Sequence, residues 1–403
     1  MSWIHELVEL HKELESPRAF WYWAGLTAIS AVMKDSVWLD RGGAYKLYPN
    51  IYTMLHADSG MKKGPPVGLA KDLVKRVGNT RIISGRSSIQ GILKELGTTT
   101  TQPGGKVVGQ SVGFIVASEF SSSIVADPAA MTILTDLYDR QYNDGEWKSL
   151  LKMEAFQLKN PTISMLVATN DAHFEDFVQA KDMKGGFIGR MFVIAETETQ
   201  TLNPLIKSLS KIPDRDMLAQ HLIELSKVTG PFQSLENTTA GKFYEDWYLN
   251  FYKTIREQGY KDDTGTVQRF GDSLLKVAML ISLADTTEKI ITETHMIEAV
   301  EVCEKLIGNI RRTTLGKRGM SSYASHKKLI IEEVLRRETF SVSRAYLLHR
   351  YWMNFNEKEL DEIMLSFDSS GMIKTKTIGN QIIYEMPADQ VEQMRKYLSG
   401  RSR

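Results

Sequence analysis

Apolar residues in the first half of the chain fall into short, almost uncharged runs separated by longer amphipathic ones. The runs NIYTMLHA (50–57), SVGFIVASEF (111–120), TISMLVATN (162–170) and GFIGRMFVIAE (186–196) are rich in β-branched and aromatic residues. Such runs predict strands covered on both faces. TRIISG (80–85) is a further strand. Between the strands, PVGLAKDLVKRV (66–77), SSIQGILKELG (87–97) and a stretch over 127–140 space their apolar residues at helical intervals. Strands alternating with helices predict a parallel sheet in an α/β fold. Upstream, the pattern predicts a helix over 4–15, a buried helix over 20–33 after Pro17, and two short strands, SVWLD and AYKLYP, around the turn RGG.

From about residue 205 the strand rhythm fades. DRDMLAQHLIELSKV, TAGKFYEDWYLNFYKTIREQG, VQRFGDSLLKVAMLISLAD and ITETHMIEAVEVCEKLIGNIRRTT predict a helical lid or bundle. GKRGMSS reads as a linker. Helices near 324–337, 342–350 and 357–369, then a hairpin turning at Gly379 and Asn380, predict a small winged-helix domain. Its third helix, NEKELDEIML, is acidic, which weighs against insertion beside a phosphate backbone and leaves protein binding open. The expected division is a helical segment over 1–49 packing on the core, an α/β core over 50–204, a lid over 205–318, a winged helix over 319–392 and a basic tail over 393–403.

Composition narrows the classes. The 403 residues carry 50 Lys and Arg against 49 Asp and Glu, so any nucleic-acid surface must be local. Cys303 is the single cysteine, which excludes a disulfide within the chain and argues against a thiolate metal site, as expected of an intracellular protein. The N-terminus lacks the basic-then-apolar layout of a signal peptide, and FWYWAGLTAISAVM is too short to cross a bilayer. No membrane partner is expected.

The chemistry centres on ADSGMKKG (57–64), set between a strand and a helix. Phosphate binding needs converging backbone N–H groups, a helix N-terminus and usually a lysine. Asp58, Ser59, Gly60, Met61, Lys62, Lys63 and Gly64 supply such a turn, although Ala57, Lys62 and Gly64 depart from the GxxxxGK[ST] pattern. The alternative is an ordinary turn before a helix. Glu119 beyond one strand is placed to act as a base, and Asn170 beyond another to orient water or sense a γ-phosphate. Arg190 in GGFIGRMF is a candidate guanidinium for a neighbouring subunit's nucleotide. A solvated strand end, a helix cap and a salt bridge are their bland counterparts. Their common position at strand ends favours one site.

Residues 50–305 resemble the AAA+ ATPase core of replicative helicases of the minichromosome-maintenance type, and more closely the primase-helicase proteins of phages and mobile elements. The resemblance rests on the loop, on IISGRSSIQGI (82–92), on Ser118-Glu119-Phe120 in place of the Walker B ending, on Asn170 as first sensor and on Arg190 before Phe192. TVQRFGDSLLK offers Arg269 as second sensor, and ITETHMIEAV fits the later family pattern. The resemblance implies an ATP-dependent helicase or translocase with ATP and Mg2+ as cofactors, although Gly64 and Ser118 replace two groups that would support the ion. It also implies a homo-oligomer, a hexamer by family analogy, on single-stranded or forked DNA, with a replication initiator or primase as further partner, in the cytoplasm of a bacterial host. Pore-facing loops in such rings contact DNA, and Lys106 in 98–110 with Lys148, Lys152 and Lys159 in 143–160 are the candidates. Other readings are a hydrolysis-impaired nucleotide-binding scaffold or helicase loader, and a winged-helix DNA-binding adaptor. Trp247, Tyr248, Phe251 and Tyr252 are expected to pack the lid rather than stack on bases.

Overall fold

The computed structural model describes residues 2–85, 87–97, 100–102, 106–108, 111–119, 127, 129–139, 146–150, 155–170, 174, 186–204, 214–257, 265–310, 324–351, 357–379 and 381–399. The chain forms two compact units, Met1–Arg311 and Arg312–Arg403. The segments 1–49, 50–204 and most of 205–318 therefore share one unit.

Helices α1 (Trp3–Leu10) and α2 (Arg18–Met33) lead into the antiparallel pair β1 (Val37–Asp40) and β2 (Lys46–Leu47). There follow β3 (Tyr52–His56), α3 (Gly64–Val77), β4 (Arg81–Ser84) and α4 (Ile89–Gly97). A hairpin of β5 (Thr100–Gln102) and β6 (Lys106–Val108) precedes β7 (Val112–Ala117) and α5 (Ala130–Tyr138). A second hairpin, β8 (Glu146–Leu150) and β9 (Ala155–Lys159), precedes β10 (Thr162–Thr169), and a 3-10 turn at Ile188–Arg190 leads into β11 (Met191–Ala195). The polar segments 98–110 and 143–160 thus both contain hairpins.

The central sheet has the order β11-β3-β10-β7-β4, with every neighbouring pair parallel. The chain leaves β3 for the far edge at β4, returns through β7 to β10, and then crosses to the other edge at β11. Since such crossovers are right-handed, the first helix and the later ones fall on opposite faces. Two cores result. On one face Leu55, Phe114, Val116, Leu166 and Ile194 join residues of α2 and α3. On the other, Tyr52, Met54, Ile115, Met165 and Val193 join residues of α4 and α5. Successive strand residues alternate between these cores, as the two-residue period requires. All eight residues of β10 are buried, which explains its uninterrupted apolar run. Helix α2 is buried nearly all round, and its hydroxyls are matched to the sheet: Thr27 Oγ1 lies 2.8 Å from Thr53 Oγ1 and Ser30 Oγ 2.7 Å from Ser164 Oγ.

The same unit continues with α6 (Arg215–Leu225), β12 (Gly230–Pro231), which pairs with β1, then α7 (Thr239–Glu257), α8 (Thr266–Asp285) and α9 (Glu293–Ile310). Leu222, Phe270, Leu274 and Met296 belong to the core shared with α2 and α3, so these helices are not a detached lid. Trp247 and Phe251 stack on each other at 5.1 Å and lie 5.7 and 5.2 Å from Phe270, the packing role expected of them. Among the described residues, no helix is long and apolar enough to cross a membrane.

The second unit comprises α10 (Ala324–Leu335), β13 (Ser341–Ser343), α11 (Arg344–Arg350), α12 (Glu357–Ser369), β14 (Lys374–Ile378), β15 (Gln381–Glu385) and α13 (Ala388–Ser399). The three strands form an antiparallel sheet in the order β13-β15-β14. Ile330, Val334, Leu347, Leu360, Phe367 and Tyr384 are in its core. The Ser343 hydroxyl caps α11 by accepting from the Tyr346 N–H. Arg344 on α11 clamps Asp361 of the acidic α12 through two hydrogen bonds of 3.0 and 3.1 Å. Residues 393–399, expected as a basic tail, instead continue a helix. Val391 in that helix belongs to the unit's core and Met394 packs against it, three positions on.

Candidate functional site at the carboxyl ends of the strands

The turn after β3 is tight. Met61 N–H donates to Asp58 O at 3.3 Å and Lys62 N–H to Gly60 O at 2.8 Å. Gly60 adopts φ +94°, a conformation open to glycine. Lys62 adopts φ +49°, which costs a residue with a side chain about 1 kcal/mol. That residue is tied down: its carbonyl accepts from Ser16 Oγ at 2.7 Å, and its ammonium lies 3.9 Å from Glu15. Lys63 does the opposite. Its ammonium curls back over the strand end and donates to Ala57 O at 2.6 Å and Asp58 O at 2.8 Å. Of the paired lysines, Lys63 is therefore the one held at the turn.

Helix α3 starts without a side-chain cap or an acidic residue in its first turn. Its positive end is not neutralised locally, which suits an anion. Pro65 and Pro66 stand in that turn and carry no N–H, however, so Lys63 and Gly64 supply the amides left at the helix start. Nothing lies within 4 Å of the position a Cβ would take on Gly64, so packing does not demand glycine there.

Two other predicted residues lie beside this turn. Asn170 follows β10, and the preceding Thr169 carbonyl accepts from Ala57 N–H at 3.4 Å. Glu119 follows β7 in an exposed bend, with Ser118 exposed beside it. Since β3, β10 and β7 are consecutive neighbours about 4.8 Å apart, the three strand ends span roughly 10 Å. Here the connection from β3 runs one way along the sheet and the rest run the other, which is the crevice where open α/β sheets hold ligands. Sequence reasoning missed His56, whose buried ring lies 4.6 Å from that of Phe174 immediately before the turn. It also missed a cavity of about 500 Å3 beyond the carboxyl end of β11, lined by Arg18, Tyr22, Trp23, Ile194, Glu196 and Leu306 among others.

Arg190 and Arg269 are elsewhere, which corrects the expectation of a single site at strand ends. Arg190 precedes β11 and so sits at the amino end of the sheet, a strand length of about 17 Å from the turn. It is 8% exposed. Its Nε donates to Asp139 Oδ2 at 2.9 Å, its Nη2 also bonds Asp139, and its Nη1 donates to Gly186 O at 2.7 Å. The guanidinium is thus committed to its own chain rather than projecting toward a neighbour. Arg269 donates to Gly265 O at 3.1 Å, and both guanidinia adjoin Gly186, where a Cβ would stand 2.9 Å from Arg190 Nη1 and 3.4 Å from Arg269 Nη2.

Both arginines line a cavity of about 330 Å3 together with Arg41, Lys276, Asp139, Asp272 and several tyrosines. Lys276 is buried, donates to Asn50 O at 3.2 Å and Asn50 Oδ1 at 2.9 Å, and stands 3.8 Å from the Tyr138 ring centroid. Burial pulls its pKa down to about 7, against the pull of Asp139 and Asp272. The signal was in the sequence: Lys276 interrupts the apolar run SLLKVAMLISLAD, where a lysine must be buried or must break the face.

Of the lysines expected to contact DNA, Lys148 is exposed and paired with Glu146 at 2.7 Å, and Lys159 is exposed at the end of β9. Lys106 lies in β6, its side chain outside the described residues, and Lys152 falls wholly outside them. Among the described residues no group of three or more His, Cys, Asp or Glu side chains is placed to hold a metal ion. The donor set at the turn does not fit magnesium well, because Gly64 brings no side-chain oxygen and Ser118 a neutral one where a carboxylate would serve. Fold and site together define an α/β protein with a central five-stranded parallel sheet and a glycine turn at its switch point. No protein-family model matches the chain, and no curated protein matches it in sequence.

Proposed function

We propose that the protein is an AAA+-like ATPase that acts as a DNA helicase or translocase, assembling as a ring, in the replication of a phage or other mobile element. The observation that carries this reading is the convergence of Lys63, Asn170 and Glu119 at the carboxyl ends of three adjacent strands. In this reading the phosphates of ATP are held by amides of the Asp58–Gly64 turn other than those of Met61 and Lys62, which bond within it. Lys63 exchanges its two backbone carbonyl partners for phosphate oxygens. Asn170 orients the attacking water, and Glu119 accepts its proton. The cavity beside β11 offers Tyr22 and Trp23 as an apolar seat for the base.

Arg190 and Arg269 lie too far from their own turn to serve it, so any part they play in phosphoryl transfer falls on another copy's nucleotide and requires Arg190 to leave Asp139. Of the lysines near the hairpins, Lys148 and Lys159 are exposed and suit contact with a single DNA strand. The second unit, whose described residues form four helices and a three-stranded sheet, suits a winged-helix module extended by α13, and its acidic α12 favours a protein partner such as an initiator or primase over DNA. A second reading, a nucleotide-binding ring scaffold or loader with impaired hydrolysis, is favoured by Pro65 and Pro66, which remove two amides from the phosphate-facing helix turn.

The test is ATP turnover by the full chain with and without single-stranded DNA, alongside the mass of the assembly. DNA-stimulated turnover in a hexamer, lost in both Lys63→Ala and Glu119→Gln by about 100-fold or more, is expected. Turnover unchanged in both variants overturns the ATPase reading, and assembly with bound nucleotide but no turnover selects the scaffold.

A further inference from the structure

The cavity beyond β11 and the glycine turn adjoin along two seams. Ser16 Oγ donates to Lys62 O at 2.7 Å, and Ser16 lies two residues before Arg18, which lines the cavity. On the β11 side Glu196, also in the cavity wall, donates its N–H to His56 O at 3.1 Å, and His56 ends the strand that leads into the turn. Two residues of chain span at most about 7 Å. The Arg18 side chain therefore starts close to both the cavity and the turn.

The backbone of Arg18 is fixed. Its N–H donates to Gln200 Oε1 at 3.0 Å, and the next residue, Thr201, is tied to Lys12 O at 2.9 Å. The side chain is exposed, and among the described residues its guanidinium has no hydrogen-bond or ion-pair partner. Glu9, the carboxylate on the α1 wall of the cavity, is engaged by Lys12, and Glu196 stands on the β11 wall. Arg18 is also the first residue of α2, whose opening turn has neither a side-chain cap nor an acidic residue. A cation at the amino end of a helix opposes the macrodipole, so this arginine does not serve the helix. An anion beside it is favoured by the helix end and by the guanidinium together, and the planar fork of arginine matches phosphate oxygens.

We propose that Arg18 is a nucleotide-binding residue whose guanidinium holds the α-phosphate, between a base seated in the cavity and the outer phosphates at Lys63. The inference rests on the nucleotide reading above and adds to it the residue that joins the two halves of the site.

The experiment is isothermal titration calorimetry of the full chain with ATP and with pyrophosphate, which offers two phosphates to the turn and nothing to the cavity. Arg18→Gln is expected to weaken ATP binding about tenfold and to leave pyrophosphate binding unchanged, whereas Lys63→Ala weakens both. An exposed side chain without partners leaves the Tm of Arg18→Gln at the parent value. Should that variant lower the Tm, Arg18→Lys replaces it, since lysine keeps the charge and loses the fork. ATP affinity weakened by Lys63→Ala and untouched by Arg18→Gln overturns the inference and leaves the nucleotide reading standing. Equal losses of ATP and pyrophosphate binding in Arg18→Gln also overturn it, because Arg18 then acts on the turn alone. A parent chain that binds no ATP overturns the nucleotide reading and this inference with it.

Discussion

The two ends of the parallel sheet handle charge in opposite ways. At the carboxyl end Glu119 is exposed and Lys63 rests on two main-chain carbonyls. At the amino end they are enclosed and lean on one another, with Arg190 against Asp139 and Lys276 against Asn50 and the Tyr138 ring. The first arrangement leaves charges that a ligand can recruit at little structural cost. The second makes the charges part of the fold, because a buried ion that loses its partner cannot turn to water.

Removing the partner of Arg190 gives the sharpest contrast. Asp139→Ala leaves a guanidinium enclosed without its carboxylate, and the loss expected in urea denaturation is about 3–5 kcal/mol. Glu119→Ala at the other end should stay within about 0.5 kcal/mol of the parent. Equal losses at the two positions would erase the distinction.

Lys276 sharpens the comparison through pH. Its folded-state pKa of about 7 lies below the ordinary lysine value of 10.5, so between these the unfolded chain binds the extra proton. Stability should therefore rise with pH across that window, by up to about 1.4 kcal/mol per pH unit from this group. Lys276→Met should flatten the rise between pH 7 and 9. Buried tyrosines with raised pKa values, Tyr52 and Tyr138, act in the opposite direction only above pH 10. His11 and His221, lowered by burial, act below the ordinary histidine range. Thermal melts of the two proteins at several pH values give the comparison.

The smallest effect belongs to the hairpin. Lys148→Ala breaks an exposed pair with Glu146 and should change stability by about 1 kcal/mol or less. If the hairpin meets DNA, the same change lowers the slope of log affinity against log salt by about 1.

The strand centres were legible because β3 and β10 are covered on both faces, and coverage leaves a run of apolar residues that nothing else in a short segment explains. The hairpin of β8 and β9 falls in 143–160, where a polar hairpin was expected, whereas β13 was hidden by its length of three residues. Helix α13 was hidden by its basic residues, which mask the spacing of Val391 and Met394. At the site, Glu119 and Asn170 fell beside the turn because each follows its strand. Arg190 did not, because it precedes β11, and in a parallel sheet that single difference moves a residue to the opposite end. The cavity around Lys276 draws on residues 41, 139, 190, 269 and 276, which only folding brings together.

Pro65 and Pro66 bear on time as well as on the number of amides. Two consecutive rings fix φ through the opening turn of α3, so that part of the turn has little backbone freedom left to lose when a ligand arrives. Together with the Ser16 anchor on Lys62, they make the turn a rigid seat and leave the Lys63 side chain as the moving part. On the proposed reading, the turn admits a ligand by rotation of one side chain, a nanosecond event, rather than by the slower remodelling of a loop.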